Sequence, residues 1–289
     1  MSENTLTNNR MKGIIYIIIS AFGFALMSAF VKLSGDLPSF EKTFFRNIVS
    51  VVVAAFMVIK NKGSFIGKKE NRKILIARSV FGTLGIVLNF YAIGKLVLSD
   101  ASMLNKLSPF FVVIFSALFL KEKIKPSQMI ALIIAFIGAL FVIRPKFDLM
   151  VIPALAGFFS GMSAAAAYTC VRKLGGREEH YTIVFFFSAF STIIVTPFMF
   201  ANFKPMTMYQ FGCLLMAGVA ASIGQFGITL AYKYAPAKEI SIFDYTNIIF
   251  AAILSMILFG QMPDMFSFIG YLIIFVASLY SFLKNKKES

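Results

Sequence analysis

The sequence predicts an all-α integral membrane protein: ten transmembrane helices arranged as two inverted five-helix repeats around a central cavity. Three observations carry that fold class. Hydrophobic residues make up 58% of the chain, charged residues only 14%, and mean hydropathy is +0.81; a soluble chain would be roughly a quarter charged. Lys and Arg gather in alternate loops. And Ser102–Leu120 (SMLNKLSPFFVVIFSALFL) falls without a gap on Ser241–Phe259 (SIFDYTNIIFAAILSMILF), so that Asn105 faces Asp244, Ser108 faces Asn247 and Ser116 faces Ser255. Ala29–Leu33 falls likewise on Cys170–Leu174.

Apolar stretches of about 20 residues, each able to cross a bilayer as a helix, are expected at 13–33, 39–60, 73–94, 99–120, 127–144, 150–171, 181–200, 207–232, 237–259 and 265–283. Most of the 28 Lys and Arg residues fall on one side of these ten spans. They are Arg10 and Lys12; Lys60, Lys62, Lys68, Lys69, Arg72 and Lys73; Lys121, Lys123 and Lys125; Arg172, Lys173 and Arg177; Lys233 and Lys238; and Lys284, Lys286 and Lys287. The opposite side receives Lys32, Lys42, Lys95, Arg144, Lys146 and Lys204, while Arg46, Arg78 and Lys106 lie within spans. By the positive-inside rule both termini are cytoplasmic, and the membrane is the cytoplasmic (inner) one. The net charge of +15 is then loop orientation plus attraction to anionic lipid heads, with no nucleic-acid partner required. A five-helix unit is odd, so the second copy enters from the opposite side. Two units are expected, residues 1–145 and 146–289, joined at Arg144–Asp148 with Pro145 ending the fifth helix.

Taken in order, the spans differ in their polar faces. The first is a retained helix rather than a cleaved signal, because nine further spans follow it; it aligns Tyr16, Ser20, Gly23 and Met27. The second carries Arg46, read as a structural intramembrane charge bridging helix ends or Glu41. The third aligns Arg78, Gly82, Gly85 and Asn89, with Arg78 expected to snorkel to the cytoplasm. The fourth aligns Asn105, Ser108, Val112 and Ser116, and Pro109 should kink it and free carbonyls. The fifth and tenth are almost wholly apolar and suit the periphery. The sixth aligns Gly157, Gly161, Ala164 and Tyr168, the eighth Ser222, Gln225 and Thr229, and the ninth Asp244, Asn247, Ala251 and Ser255. Small-residue packing accounts for any one such stripe. Six stripes in related positions point to a hydrated cavity.

Charges inside a membrane cost at least about 2.5–3.5 kcal/mol each. Lys106 lies ~10 Å below the outer surface at 1.5 Å per residue, and Asp244 at the mirrored depth below the inner one, so a direct pair between them does not follow from the sequence. Two internal cations against one carboxylate tilt the cavity toward an anionic or zwitterionic small-molecule substrate. Asp244 has two functional readings, a proton-coupling carboxylate or an anchor for a substrate amine. Catalysis and cofactors are not expected. One histidine, His180, and no clustered carboxylates build neither a metal site nor a nucleophilic triad, and no phosphate-cradling loop is present. The two cysteines, Cys170 and Cys213, lie inside spans and suggest no disulfide.

The stretches FFRNIVS, LNKLSPFFVVIFSALFLKEKI, VRKLGGREEHYTIVFFFS and YAPAKEISIFDYTNIIFA, with the lysine-rich KEKIKPSQ turn, resemble the drug/metabolite transporter superfamily in its EamA-domain branch, over essentially the whole chain. They look like a subgroup that includes relatives of organic-anion and nucleoside-metabolite carriers. The glutamate of the family's turn is kept at Glu122, and Gly260-Gln261 stands there in the second repeat. The resemblance implies substrate held in a central cavity.

The residues and the resemblance together lead to a secondary transporter working by alternating access, coupled to protons or exchanging solutes. Asn105, Lys106 and Ser108 are expected on substrate from the first half and Asp244 and Asn247 from the second, with Asn89, Gln225 and Tyr168 as walls and Asp244 as the coupling group. The rivals are an exporter of amino acids or drugs in the same fold, a non-transporting membrane receptor or assembly subunit, and a membrane-embedded enzyme. Oligomeric state is not legible.

Overall fold

The structure is a computed structural model and describes residues 3–120, 126–143, 151–234 and 241–287. Every regular element among the described residues is helical: α1 Glu3–Leu33, α2 Ser39–Lys60, α3 Arg72–Lys95, α4 Leu98–Asn105, α5 Ser108–Leu120, α6 Pro126–Ile143, α7 Val151–Leu174, α8 His180–Ala201, α9 Met208–Tyr234, α10 Thr246–Phe259 and α11 Met265–Lys287, with short 3-10 turns at Lys69–Asn71 and Ser241–Tyr245. Among the described residues, seven stretches are long and apolar enough to cross a membrane: Met11–Leu33, Ser39–Lys60, Lys69–Lys95, Leu98–Phe119, Val151–Val171, His180–Ala201 and Met208–Ile228. Three shorter apolar helices, Met129–Val142, Phe243–Phe259 and Met265–Tyr280, accompany them. Outward faces are apolar, as on α2, where Val52, Phe56 and Ile59 are exposed, which is what a chain solvated by lipid requires.

Helix ends follow local rules. The α2 helix starts after Pro38, whose ψ of 141° is extended, and α10 stops at Gly260, whose φ of 61° is left-handed and whose N–H reaches the Met256 carbonyl at 3.1 Å; glycine adopts that conformation without strain. Lys42, counted on the outer side, is 2% exposed and donates to the carbonyls of Val31 (3.2 Å) and Gly35 (2.6 Å). Its ammonium caps the C-terminus of α1, where four carbonyls lack helical partners.

Each helix of one half packs chiefly on a helix of the other: α1 on α9, α7 on α3, α2 on α8, α6 on α11, α4 and α5 on α7, and α10 on α1. Glycine permits the closest approaches. A Cβ at Gly23 of α1 would stand 2.8 Å from the Gly224 nitrogen, and one at Gly85 of α3 would stand 3.4 Å from the Ala164 nitrogen; the two pairs occupy aligned positions of the repeat. Gly138 and Gly270 meet reciprocally, each Cβ falling on the other's carbonyl at 3.0 and 2.7 Å. Ser20 seals the α1–α9 contact through its hydroxyl, which donates to the Gly224 carbonyl at 2.7 Å. The stripe read on the first helix is therefore divided between packing and cavity.

The expected fourth helix is broken. The α4 helix ends at Asn105, Leu107 N–H reaches back only to Leu104, and Phe110 N–H only to Leu107. Pro109 has no N–H for the Asn105 carbonyl, so the helical ladder cannot pass through this point. In the second half a 3-10 turn, Ser241–Tyr245, precedes α10 at the aligned place. The Glu122 turn, the Arg144–Asp148 link with Pro145, and Lys238 lie outside the described residues, as do the side chains of Ser116, Arg172, Thr229 and Lys233.

Candidate functional site

Helices from both halves enclose a cavity of about 100 Å3, lined by Phe24 and Met27 of α1, Arg46 of α2, Arg78, Gly82, Gly85 and Asn89 of α3, Ser102, Asn105 and Lys106 at the end of α4, Ala164 and Tyr168 of α7, Phe187 of α8, Gln225 of α9 and Asn247 of α10. The whole stripe read on the third helix lies on this wall. Of the eight residues expected to touch substrate, Asn105, Lys106, Asn247, Asn89, Gln225 and Tyr168 line it. Ser108 does not: it is 5% exposed and absent from the wall, because the break after Asn105 removes the helical phase that would have put it under Asn105. Asp244 stands behind the wall rather than on it.

Lys106 Nζ donates to Asp244 Oδ2 at 2.6 Å, with side chains 10% and 12% exposed. The separate depths expected for these residues do not keep them apart: the segments that carry them are both irregular, and the two side chains meet. Tyr245, aligned with Lys106 in the repeat, donates its hydroxyl to the Lys106 carbonyl at 3.1 Å. The Lys106 carbonyl, freed by the break, thus gains a donor from the partner segment. Among the described residues, Asp244 Oδ1 and Asn89 Oδ1 make no hydrogen bond. Asn105 Nδ2 donates to Ser160 Oγ at 3.1 Å, and Asn247 Nδ2 donates to the Ala21 carbonyl at 2.7 Å. Both amides are held by the opposite half, which fixes how they face the cavity.

Arg46 does not bridge to Glu41. It is 1% exposed and on the wall, donating from Nη1 to Asn47 Oδ1 at 2.5 Å. Arg78 does not snorkel out; it is 4% exposed, with its guanidinium 3.6 Å over the Phe187 ring. Its place on the Gly82, Gly85, Asn89 face was the signal that could have found it. Phe187 itself left no such signal, since its role is set by a neighbour on another helix.

At the end that carries the α1–α2 turn, Lys32 Nζ donates to the Leu96 carbonyl at 2.6 Å and to Gln261 Oε1 at 2.7 Å. At the other end Glu178 Oε1 accepts from Lys68 N–H at 2.7 Å and from Asn71 Nδ2 at 2.8 Å.

Such a polar cavity shared between two halves is matched by what the chain resembles. The EamA-like transporter family matches it twice, over residues 11–144 and 151–283. The chain belongs to the EamA-like transporter family. This EamA protein is therefore a multi-pass membrane protein of a transporter family. It is 33% identical over 270 residues to the pseudopaline exporter CntI of Pseudomonas aeruginosa strain UCBPP-PA14, covering 92% of this chain and 94% of that one. It is 26% identical over 293 residues to human solute carrier family 35 member G1, covering 96% and 80%. A solved crystal structure with a TM-score of 0.68 covers 96% of this EamA chain and 98% of its own at 14% identity, which speaks to the fold alone.

Proposed function

We propose that this EamA protein is a secondary transporter that carries a small polar metabolite, anionic or zwitterionic, across the cytoplasmic membrane by alternating access. Ten spans in two inverted five-helix halves, residues 1–145 and 146–289, would rock about the central cavity, both termini being cytoplasmic. The observation that carries this reading is the Lys106–Asp244 pair at 2.6 Å, placed where a broken segment of each half meets beside the polar wall. Contact between the aligned residues Lys106 and Tyr245, the reciprocal Gly138–Gly270 approach and the double family match support two related halves with an axis running between them.

In this mechanism Lys106, Asn105 and Asn247 contact substrate, while Asn89, Gln225 and Tyr168 shape the wall. Asp244 neutralises Lys106 when the cavity is empty. A substrate anion competing for Lys106 frees the Asp244 carboxylate to take a proton, so binding and protonation become linked. Export is the favoured direction because the 33% identical relative is named an exporter. Uptake and counterflow in proteoliposomes against a metabolite panel test the reading, with Lys106→Ala and Asp244→Asn beside the unsubstituted protein. Unchanged rates in both variants would remove these residues from the site, and no flux of any solute would remove the transport function.

A further inference from the structure

Two of the three cavity cations have no counter-charge among the described residues. Lys106 is neutralised by Asp244, but Arg46 and Arg78 form no ion pair among the described residues, and Arg46 Nε, Arg78 Nε and Arg78 Nη1 make no hydrogen bond. Both are more than nine-tenths buried and both line the cavity. A buried guanidinium is costly without a partner, and two on one wall also repel each other.

Neither arginine is loose. Helix α8 holds both, through residues one turn apart on one face. Phe187 stacks under the Arg78 guanidinium at 3.6 Å. Ser191 accepts from Asn47 Nδ2 at 2.7 Å, and Asn47 Oδ1 in turn accepts from Arg46 Nη1. Gly82, one turn after Arg78, leaves the room: a Cβ there would stand 2.6 Å from Arg78 Nη1 and 2.8 Å from the Phe187 ring. One helix of the second half thus orients two cations of the first and leaves hydrogen-bonding edges of both unspent. Oriented, unpaired donors of this kind match carboxylate or phosphate oxygens. With about 100 Å3 available, one molecule must satisfy both.

We propose that Arg46 and Arg78 form a dianion site, so that the substrate carries two negative charges, as a dicarboxylate or a phosphomonoester, and bridges the two guanidinium groups. The proposal rests on the transport reading above and gives that cavity its substrate class. Lys106 then contacts the remainder of the same molecule.

The test is ligand-induced thermal stabilisation of the purified full-length protein, followed by counterflow in proteoliposomes. Succinate is compared with succinamate, which has the same skeleton and one charge fewer, and inorganic phosphate and glycerol 3-phosphate form the second arm. A favoured dianion should bind about 10- to 100-fold more tightly than succinamate. Arg46→Gln and Arg78→Gln should each bring that ratio close to one, and Arg78→Lys should restore part of it. Gly82→Ala, which changes no charge, should lower the ratio by displacing Arg78, whereas Gly94→Ala, with nothing within 4 Å of its Cβ, should not. Protection by phosphate and its ester alone identifies a phosphomonoester; protection by succinate alone identifies a dicarboxylate. Equal binding of succinate and succinamate with no phosphate binding overturns the proposal even if the glutamine variants fail to fold, as do folded glutamine variants that keep the ratio. Stabilisation by a dianion without counterflow sinks the transport reading and leaves the site standing. Counterflow restricted to neutral or cationic solutes does the reverse.

Discussion

Lys106 and Asp244, separated by 138 residues, form a buried ion pair at 2.6 Å although they are not aligned in the repeat. Asp244 aligns with Asn105, and the residue aligned with Lys106 is Tyr245, whose hydroxyl binds the Lys106 backbone. In the proposed inverted repeat the axis runs between Lys106 and Tyr245, and the charge pair is an asymmetric addition to that crossing. Removing one partner leaves the other charge buried. Lys106→Met should cost about 3–5 kcal/mol of stability, while Lys106→Met with Asp244→Leu should recover most of it. Thermal unfolding in detergent of the single and double variants reads the difference; equal losses in both would mean that the pair is not buried in the working protein.

Proton coupling gives a second outcome. With Asp244→Asn, transport should continue down a substrate gradient and lose its response to an imposed pH gradient. A variant that keeps the full response places the proton elsewhere.

Gly161 is the third point of sensitivity. A Cβ there would stand 2.7 Å from the Leu104 carbonyl and 3.0 Å from the Asn105 carbonyl, at the helix break. Backbone cannot step aside as a flexible side chain does, so Gly161→Ala should destabilise by about 1–3 kcal/mol and reduce transport. Gly94→Ala meets nothing within 4 Å and should be neutral or add about 0.4–1 kcal/mol. The same unfolding measurement serves for both.

Topology is open to labelling. In a background with Cys170 and Cys213 replaced by alanine, single cysteines at Asn61 and Lys173 should react with an impermeant thiol reagent only from the cytoplasmic side. Cysteines at Asp36 and Asn202 should react only from outside. All four positions are exposed in the fold. Labelling of Asn61 and Asp36 positions from the same side would overturn the insertion of the halves.

Much of the site could be read from residue spacing. The face Arg78, Gly82, Gly85, Asn89 is a continuous helical stripe, and all four residues line the cavity; an unbroken helix keeps the register that a periodic reading assumes. The fourth and ninth spans break that assumption. Counting 1.5 Å per residue from each membrane face put Lys106 and Asp244 at different depths, but a span interrupted at Asn105–Ser108 and another opening with a 3-10 turn do not obey one rise per residue. Ser108 left the wall for the same reason. The sequence points Arg46 and Arg78 to structural or outward roles, because spacing along one helix cannot show Phe187 and Ser191 arriving from another. Lys42 reads only as an outer-side charge in the sequence, because a cation near a span end looks the same whether it meets water or caps α1.

The cross-half pairing of helices has a consequence for how the chain reaches this state. Since α1 lies on α9, α3 on α7 and α6 on α11, a newly made first half has few of its own surfaces to bury and waits in the bilayer for the second. Contacts so distant along the chain slow assembly, and neither half should fold on its own. Residues 1–145 and 146–289 made as separate chains should each be short-lived in the membrane, and both should persist when produced together.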